Sequence, residues 1–391
     1  MKKVLLLSDN ESVTVQMTFR MLHLMKKYGF SYSFSIGSDL SKINSDFDIP
    51  LLVRSVRPYN LYWLYFFKSN KIPYIYYIDD SYWKLSSQGY FKNNALLETL
   101  NELIGNAWMV IVNSRILMEE VLSYNKNVVV LPAFYDFSIL KDVIREKHEN
   151  EIRIGYPSVR SLDIEPLFPT IKEVLDRFPG KVFFEFFLEV PDYLKNCNGV
   201  RTFKPIVNYE DFARFQFSRG WDIGLATLRD LGSNQAKTNN KYREFGACGT
   251  AGIYSKLPTY SDFVVHNKTG ILIDNTKKSW FDSMVKLIES PSMVRQIGEN
   301  AYQDVKEKFS LDVVLPQWCE VLNSVPDRRK LHSLKVDFPL RLKVAVFFAF
   351  IRYGLSGLCD KLKKGEKIFN KILPWMVRAG KKYIIGKNPS E

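Results

Sequence analysis

Residues 234–252 read Asn-Gln-Ala-Lys-Thr-Asn-Asn-Lys-Tyr-Arg-Glu-Phe-Gly-Ala-Cys-Gly-Thr-Ala-Gly, and the interpretation of the chain depends on this stretch. Thr238, Asn239 and Asn240 are residues that commonly cap helices, so the pattern predicts a helix start. The backbone N–H groups of a first helical turn favour an anion such as phosphate. The stretch therefore predicts a phosphate site.

Charged side chains of both signs lie at this helix start. Lys237 and Lys241 supply positive charge, and Glu244 follows Lys241 by three residues on the same helical face. A lysine there can hold a diphosphate while the glutamate accepts hydrogen bonds from a ribose. The same pattern also fits a capped surface helix with an ordinary Lys/Glu pair.

The residues that follow predict part of an open α/β sheet. Residues 251–255 predict a short buried strand, and residues 256–262 predict the loop beyond its carboxyl end. A further strand is predicted at 269–273, with helices at 280–290 and 292–309. Ligands of open α/β sheets bind at the carboxyl ends of strands, so the loop belongs to the same candidate site.

Strands and helices also alternate upstream, which predicts parallel sheets with right-handed crossovers. An amphipathic helix is predicted over 13–28 and another helix over 164–178. The predicted strands are residues 4–7, 30–35, 49–53, 74–78, 108–112, 128–131, 152–156 and 182–187.

Four segments of the second half resemble GT-B glycosyltransferases, in particular family 4 and related bacterial surface-polysaccharide enzymes. They are residues 241–249, 253–255, 266–273 and 307–310. Residues 221–230 also resemble that family's strand and loop before the donor helix. The resemblance implies two Rossmann-like domains facing a cleft, with the nucleotide sugar bound by the second domain and the acceptor entering from the first.

A length of 391 residues supports this division, because it exceeds what one hydrophobic core usually serves. We expect an acceptor-side domain at 1–141, a polar linker at 142–151, a nucleotide-sugar domain at 152–310, a closing helix at 311–329 and a basic tail at 330–391.

The resemblance also implies roles for individual residues. The candidate catalytic residues are Lys241, Lys237 and Asp79, and the candidate donor-binding residues are Glu244, Asn240, Thr238, Asn234, Arg160 and Tyr260. Arg160 equally fits a plain loop residue, and Asp79 and Asp80 also fit a helix cap. One position departs from the family, in which two glutamates stand eight positions apart: if Glu244 is the second, Ala236 occupies the place of the first.

The expected activity is sugar transfer from a nucleoside-diphosphate sugar to a glycan, with retention of configuration and without a metal or other cofactor. Fixed cations and a helix start would then stabilise the leaving diphosphate. Three alternatives stay open, namely a catalytically silent partner of an active transferase, a nucleotide-sugar epimerase and a phosphorylase. The four cysteines are widely spaced and form no CxxC pair, which favours a reducing, cytosolic setting. The four histidines show no metal-ligand spacing.

The positive charge is concentrated at the carboxyl terminus. Residues 330–391 contain 14 basic and 4 acidic residues, a net charge of +10, which leaves +3 for the rest of the chain. Apolar residues at 344–351 and 368–376 lie among these cations, as in amphipathic helices that bind anionic membranes. We expect a peripheral protein at the inner face of the cell membrane that acts on a lipid-linked acceptor. A tail packed on its own domain is the alternative, and no nucleic-acid recognition motif appears.

Overall fold

A computed structural model describes residues 1–44, 46–90, 94–146, 148, 150–326, 338–349 and 351. The chain divides into two compact units. Unit 1 contains Met1–Val130 and the residues from Trp318 onward, and unit 2 contains Leu131–Gln317.

Unit 1 is built on a six-stranded parallel sheet with the strand order β2-β1-β3-β4-β5-β6. Continuous apolar runs form the central strands because both faces of the sheet are covered there, and every residue of the third strand is buried. The strands are β1 Lys2–Ser8, β2 Phe30–Ile36, β3 Ile49–Val53, β4 Ile75–Tyr77, β5 Met109–Val112 and β6 Val128–Val130.

Helices cover this sheet, and two of them have a serine side chain as the N-cap. Ser81 and Ser114 accept hydrogen bonds from the backbone N–H groups of Lys84 and Leu117. The helices are α1 Val13–Leu24, α2 Asn60–Ser69, α3 Tyr82–Ser87, α4 Asn94–Gly105 and α5 Arg115–Val121.

Unit 2 repeats the architecture with the strand order β12-β11-β10-β7-β8-β9, also parallel. Its strands are β7 Ile152–Tyr156, β8 Val182–Phe186, β9 Val200–Thr202, β10 Ile223–Ala226, β11 Ala251–Ser255 and β12 Ile271–Ile273. Its helices are α6 Ser161–Ile164, α7 Phe168–Arg177, α8 Asp192–Lys195, α9 Tyr209–Arg219, α10 Gly232–Gln235, α11 Asn240–Ala247, α12 Pro258–Ser261, α13 Lys277–Ile288 and α14 Pro291–Phe309. Helix α15, Leu311–Ser324, spans the point where the two units divide, and a sixteenth helix lies over 340–349.

Two glycines allow α11 to pack closely on its neighbours. A Cβ at Gly224 of β10 would lie 2.6 Å from the Phe245 ring, and one at Gly246 would lie 2.9 Å from the Ala301 carbonyl of α14. Because neither position has room for a side chain, α11 packs closely between β10 and α14.

Most predicted elements are confirmed, and three strands, at 49–53, 152–156 and 251–255, match residue for residue. The helix predicted at 164–178 is interrupted by a 3-10 turn at Glu165–Leu167, where Pro166 lacks the N–H that a continuous helix needs. The short edge strand β9 was not predicted.

The contacts place residues 131–141 in unit 2, which differs from the predicted domain boundary. Arg214 Nη1 donates to the Ile139 carbonyl at 2.8 Å, and the Tyr135 N–H donates to the Phe309 carbonyl at 2.8 Å. At the other end of the chain, the Trp318 and Tyr77 ring centroids are 5.1 Å apart, and both residues belong to unit 1.

The second amphipathic segment predicted in the tail, at 368–376, lies outside the described residues. Among the residues that the structure does describe, no helix is both long enough and apolar enough to cross a bilayer.

Candidate donor site

The start of α11 lies at the edge of the unit 2 sheet where the parallel strands end. Loops from these ends are tied together there: Leu228, just beyond β10, donates its N–H to Ser255 Oγ at the end of β11 at 2.9 Å. Thr227 Oγ1 donates to the Tyr156 hydroxyl at the end of β7 at 3.4 Å. This edge is where ligands of parallel α/β sheets bind.

Lys241 and Glu244 form an ion pair near the start of α11. Lys241 Nζ lies 2.7 Å from Glu244 Oε2, and the exposed fractions of the two side chains are 22% and 6%. The ammonium also lies 5.1 Å from the centroid of the Phe212 ring. The carboxylate is thus buried and paired, while the cation stays within reach of solvent.

Two other predicted donor residues lie within electrostatic range of this pair. Burial raises the pKa of Tyr260, the negative charge of Glu244 raises it further, and the positive charge of Arg160 acts in the opposite direction. Glu244, Tyr260 and Arg160, which are far apart in sequence, therefore contribute to one electrostatic environment.

Arg160 is exposed at the start of the short helix α6. Its carbonyl accepts a hydrogen bond from the Tyr156 hydroxyl at 2.9 Å, which fixes the loop beyond β7. A second arginine lies on the same edge, because Arg229 Nε contacts Asp163 Oδ1 at 3.3 Å. Only Arg160 was assigned a role from the sequence.

Arg243 organises the start of α11, and sequence reasoning missed it. The side chain is buried, and its Nε donates to Asn239 Oδ1 at 3.0 Å. Its other nitrogens donate to the Phe134 carbonyl, to Asn240 Oδ1 and to Thr238 Oγ1. One guanidinium therefore fixes the residues just before and at the helix start. The signal was present in the spacing, since Arg243 follows Asn239 by four residues and Asn240 by three.

The expected side-chain cap of α11 is not formed. Asn239 occupies the cap position, but its side chain makes no capping hydrogen bond and its oxygen accepts from Arg243 instead. Its amide nitrogen is buried and has no hydrogen-bond partner. The prediction of a helix start at 238–240 is confirmed. Hydrogen bonds from the Arg243 side chain hold these residues, in place of the side-chain cap that we expected.

The segment before α11 is held by buried polar contacts. Asn234 Nδ2 donates to the Arg229 carbonyl at 2.9 Å, and Thr259 Oγ1 donates to the Asn234 carbonyl. Ala236, at the end of α10, is 1% exposed, while Lys237 beside it is partly exposed. A glutamate at position 236 would bring a carboxylate into a closed space, which is costly without a hydrogen-bond partner.

Asp79 belongs to unit 1, unlike the other eight predicted site residues. It follows β4 and pairs with Arg54, whose Nη1 lies 2.7 Å from Asp79 Oδ1 and whose Nη2 lies 2.9 Å from Asp80 Oδ2. Burial opposes the charge on Arg54, but the two carboxylates outweigh it and hold the pKa of the arginine above its ordinary value. Ser81 caps the next helix, so neither aspartate serves as the side-chain cap.

Asp46 and Asp48 have the Asp-x-Asp spacing that metal-dependent transferases use, but both contact Lys3. Asp46 forms an ion pair with the Lys3 ammonium, and Asp48 Oδ2 accepts from the Lys3 backbone N–H at 2.7 Å. In the described part of the chain, no group of three or more His, Cys, Asp or Glu residues is arranged to hold a metal.

A cavity of about 290 Å³ in unit 2 lies at the other edge of the sheet, because Asp222, which precedes β10, contributes to its wall. Arg145, Gly249 and residues of α14 complete that wall. It is thus separate from the start of α11.

No model of a known protein family matches the chain. Of the curated proteins, the poly(ribitol-phosphate) alpha-N-acetylglucosaminyltransferase of Staphylococcus aureus (strain COL) is 31% identical over 65 residues, which are 16% of this chain and 13% of that protein. The match thus spans only a small part of that relative's length.

Solved structures match a much larger part of the chain than this curated relative does. The Anabaena protein Alr3699/HepE in complex with UDP has a TM-score of 0.61 and 13% identity, over 83% of this chain and all of that chain. A glycosyltransferase from Rickettsia africae ESF-5 has a TM-score of 0.62 and 13% identity, over 83% of this chain and 98% of that one. The chain has the two-domain α/β fold of GT-B glycosyltransferases, which confirms the fold that the sequence resemblance implied.

Proposed function

We propose that the protein is a glycosyltransferase that moves a sugar from a nucleoside-diphosphate sugar to a glycan acceptor. The observation that carries this proposal is the Lys241–Glu244 pair near the start of α11, at the edge of a parallel sheet where ligands of such sheets bind. The similar fold of HepE, whose structures contain UDP and UDP-glucose, makes UDP the first nucleotide to test.

In this proposal, donor binding exchanges the internal ion pair for contacts with the ligand. Lys241 turns to the diphosphate, and Glu244 accepts hydrogen bonds from the ribose. Lys237 and Arg160 add positive charge, Thr238 and Asn240 line the helix start, Tyr260 lies beside Glu244, and Asn234 holds the preceding loop. A carboxylate that is already buried and oriented costs little to preorganise for this task.

The chemical step separates charge, since the sugar becomes positive as the diphosphate leaves. We propose that Lys241 and Lys237 stabilise the leaving phosphate without a metal, and that transfer retains the anomeric configuration. Positive groups fixed before the reaction are effective because they need no reorganisation in the transition state. Asp79, at the end of β4 in unit 1, is proposed to act on the acceptor side.

The acceptor proposed here is a lipid-linked glycan at the inner face of the cell membrane. The net charge of +10 on residues 330–391 supports this, because basic segments are attracted to anionic lipid surfaces. The Staphylococcus aureus relative, by its name, also acts on a poly(ribitol-phosphate) polymer. The protein would then be peripheral, with its acceptor anchored in the same plane.

A catalytically silent GT-B partner is a second candidate, and two observations favour it. Ala236 is buried at the position where the resemblance implies a sugar-contacting glutamate, and Asp79 is already paired with Arg54. Such a protein would bind the donor nucleotide without turnover.

Calorimetric titration and a donor-consumption assay test the proposal together. We expect the wild-type protein to bind a nucleoside diphosphate and to consume the corresponding sugar nucleotide, and Lys241→Ala to lose most of the donor consumption. Lys278→Ala is the matched control, because Lys278 forms an exposed ion pair with Asp282 in α13 of the same unit.

If the protein binds none of UDP, GDP, ADP, CDP and dTDP, the proposed function is contradicted. Binding without any turnover supports the silent partner, and interconversion of the sugar without transfer identifies an epimerase.

A further inference from the structure

The helix at 340–349 is docked on α2 by one of its faces. Val346 is fully buried in a cluster with Tyr59 and Tyr62, and the rings of Phe338 and Tyr62 have centroids 4.7 Å apart. Leu342 packs against the same cluster. The described part of the tail is therefore fixed to unit 1 by apolar contacts.

The opposite face of the same helix is also apolar. Leu340, Val344 and Phe348 recur every four residues and so form one stripe. Leu340 is 67% exposed and Phe348 is 57% exposed. A surface helix normally presents polar residues to water, so a helix that is apolar on both faces indicates that something covers the outer one.

Positive charge flanks this stripe. Residues 338–359 contain three basic residues and no acidic residue. Arg341 and Lys343 lie on either side of the stripe, and Lys68 of α2 is exposed nearby at a groove of about 430 Å³. The groove joins the two helices, and it is lined by Leu61, Leu64, Tyr65, Lys68, Ser69 and Leu342.

We propose that the outer face of helix 340–349 and the adjoining α2 groove bind an anionic lipid surface. Leu340, Val344 and Phe348 enter the acyl region, and Arg341 and Lys343 contact the phosphate headgroups. The groove takes an acyl chain beside Lys68. This deepens the proposed function and rests on its membrane acceptor, because it assigns the contact to a particular face of unit 1.

Apolar ridges flanked by cations are typical of helices that lie in the membrane interface, where apolar burial and attraction to anionic headgroups add. A second copy of the chain is a poorer occupant, since two such faces would bring like charges together. An acidic protein could pair with the cations, and the test separates it from lipid.

Flotation with the full-length protein tests the surface, using vesicles of phosphatidylcholine alone and of phosphatidylcholine with phosphatidylglycerol. We expect binding to the anionic vesicles, reduced about tenfold or more by the double variant Leu340→Ser/Phe348→Ser, since each 1.4 kcal/mol of lost burial is a factor of ten. Phe34→Ser is the matched control, because Phe34 is an exposed phenylalanine of the same unit. Lys68→Glu should weaken binding more than Lys126→Glu, an equal charge change on another exposed lysine.

Phe348→Trp probes insertion directly. The tryptophan fluorescence of this variant is compared with that of the wild-type protein, and the difference reports on the added Trp side chain. We expect quenching by brominated lipid acyl chains in anionic vesicles. Equal vesicle binding by Leu340→Ser/Phe348→Ser and wild type, without added quenching in Phe348→Trp, overturns this surface while leaving the membrane acceptor in place.

Absence of vesicle binding by the wild-type protein overturns both the surface and the membrane acceptor. A concentration-dependent dimer that the double variant abolishes, without vesicle binding, identifies a second copy as the occupant. Donor consumption, measured in parallel, separates these outcomes from failure of the proposed sugar transfer.

Discussion

Lys241 Nζ lies 2.7 Å from Glu244 Oε2 near the start of α11, so the two side chains that are proposed to bind a nucleotide pair with each other. The pair is nearly closed to solvent on its carboxylate side and open on its ammonium side. A ligand that offers a phosphate to the lysine and a ribose hydroxyl to the glutamate can replace the pair without leaving either charge unsatisfied.

Lys241→Ala is expected to lower kcat about 10²- to 10³-fold, because the variant removes a fixed cation from the leaving group. Glu244→Gln is expected instead to weaken nucleotide binding with a smaller effect on kcat. Steady-state kinetics with the sugar nucleotide measure both. If Lys241→Ala has the same kinetics as Lys278→Ala, Lys241 does not stabilise the leaving diphosphate.

Arg243→Met is expected to destabilise the protein by about 3 kcal/mol and to reduce nucleotide affinity. The variant leaves several buried oxygens without their donor, including the Phe134 carbonyl and Asn239 Oδ1. Arg243→Lys should rescue little, because an ammonium cannot reproduce the geometry of a guanidinium. Thermal unfolding with and without nucleotide checks this, with Arg295→Met, an exposed arginine of α14, as the control. Equal melting temperatures for the two methionine variants would contradict the stabilising role of the Arg243 hydrogen bonds at the start of α11.

Ala236→Glu, which places a glutamate eight positions before Glu244 as the resemblance to family 4 enzymes implies, is expected to lower the melting temperature rather than to raise kcat. The position is closed, and a carboxylate buried without a partner is unfavourable. Comparison with Ala236→Gln isolates the effect of the charge. A gain in turnover at unchanged stability would show that the space opens when the donor binds.

Glu185 is expected to make the free energy of unfolding decrease as the pH falls into the acid range. Burial by itself raises the pKa of Glu185, but hydrogen bonds from Arg219 and Trp221 outweigh it and leave the pKa below its ordinary value. A carboxylate with a depressed folded-state pKa stabilises the fold above its unfolded-state pKa, and this contribution is lost as the pH falls through the folded-state pKa. We expect Glu185→Gln to cost roughly 3 kcal/mol at pH 7 and to flatten the loss of stability below pH 5.

Melting temperatures of wild type and Glu185→Gln between pH 7 and pH 3 measure this dependence. Glu289→Gln, which alters an exposed pair with Arg177, serves as the control. Parallel curves for wild type and Glu185→Gln would exclude Glu185 as the source of the acid sensitivity.

Cys248 is expected to resist alkylation in the native protein. Burial raises the pKa of its thiol to about 12, although the positive charge of Arg145 acts the other way, so the thiol stays protonated at pH 8. Labelling with iodoacetamide followed by mass spectrometry should modify the less buried Cys197 first. Fast labelling of Cys248 at pH 8 would show that the α11 region opens readily.

The sequence was sufficient for elements with local causes. The strand β11 is an apolar run, and the Lys241–Glu244 contact follows from a spacing of three residues on a helix. Even the resemblance to GT-B enzymes rested on such short segments around α11.

Contacts between distant residues could not be read in the same way. Arg243 reaches the Phe134 carbonyl 109 positions earlier, and Arg54 reaches Asp79 25 positions later. The sequence shows the arginines but not which acceptors the fold brings to them. The docking of Val346 on Tyr62 likewise depends on tertiary packing, which periodicity alone does not specify.

The central claim is that a nucleoside diphosphate binds at the start of α11. A crystal structure with the nucleotide that most raises the melting temperature tests this most directly. The account predicts phosphate oxygens within hydrogen-bond distance of Lys241 Nζ, the ribose on Glu244, and the Lys241–Glu244 pair opened. A nucleotide bound elsewhere with that pair intact would contradict it.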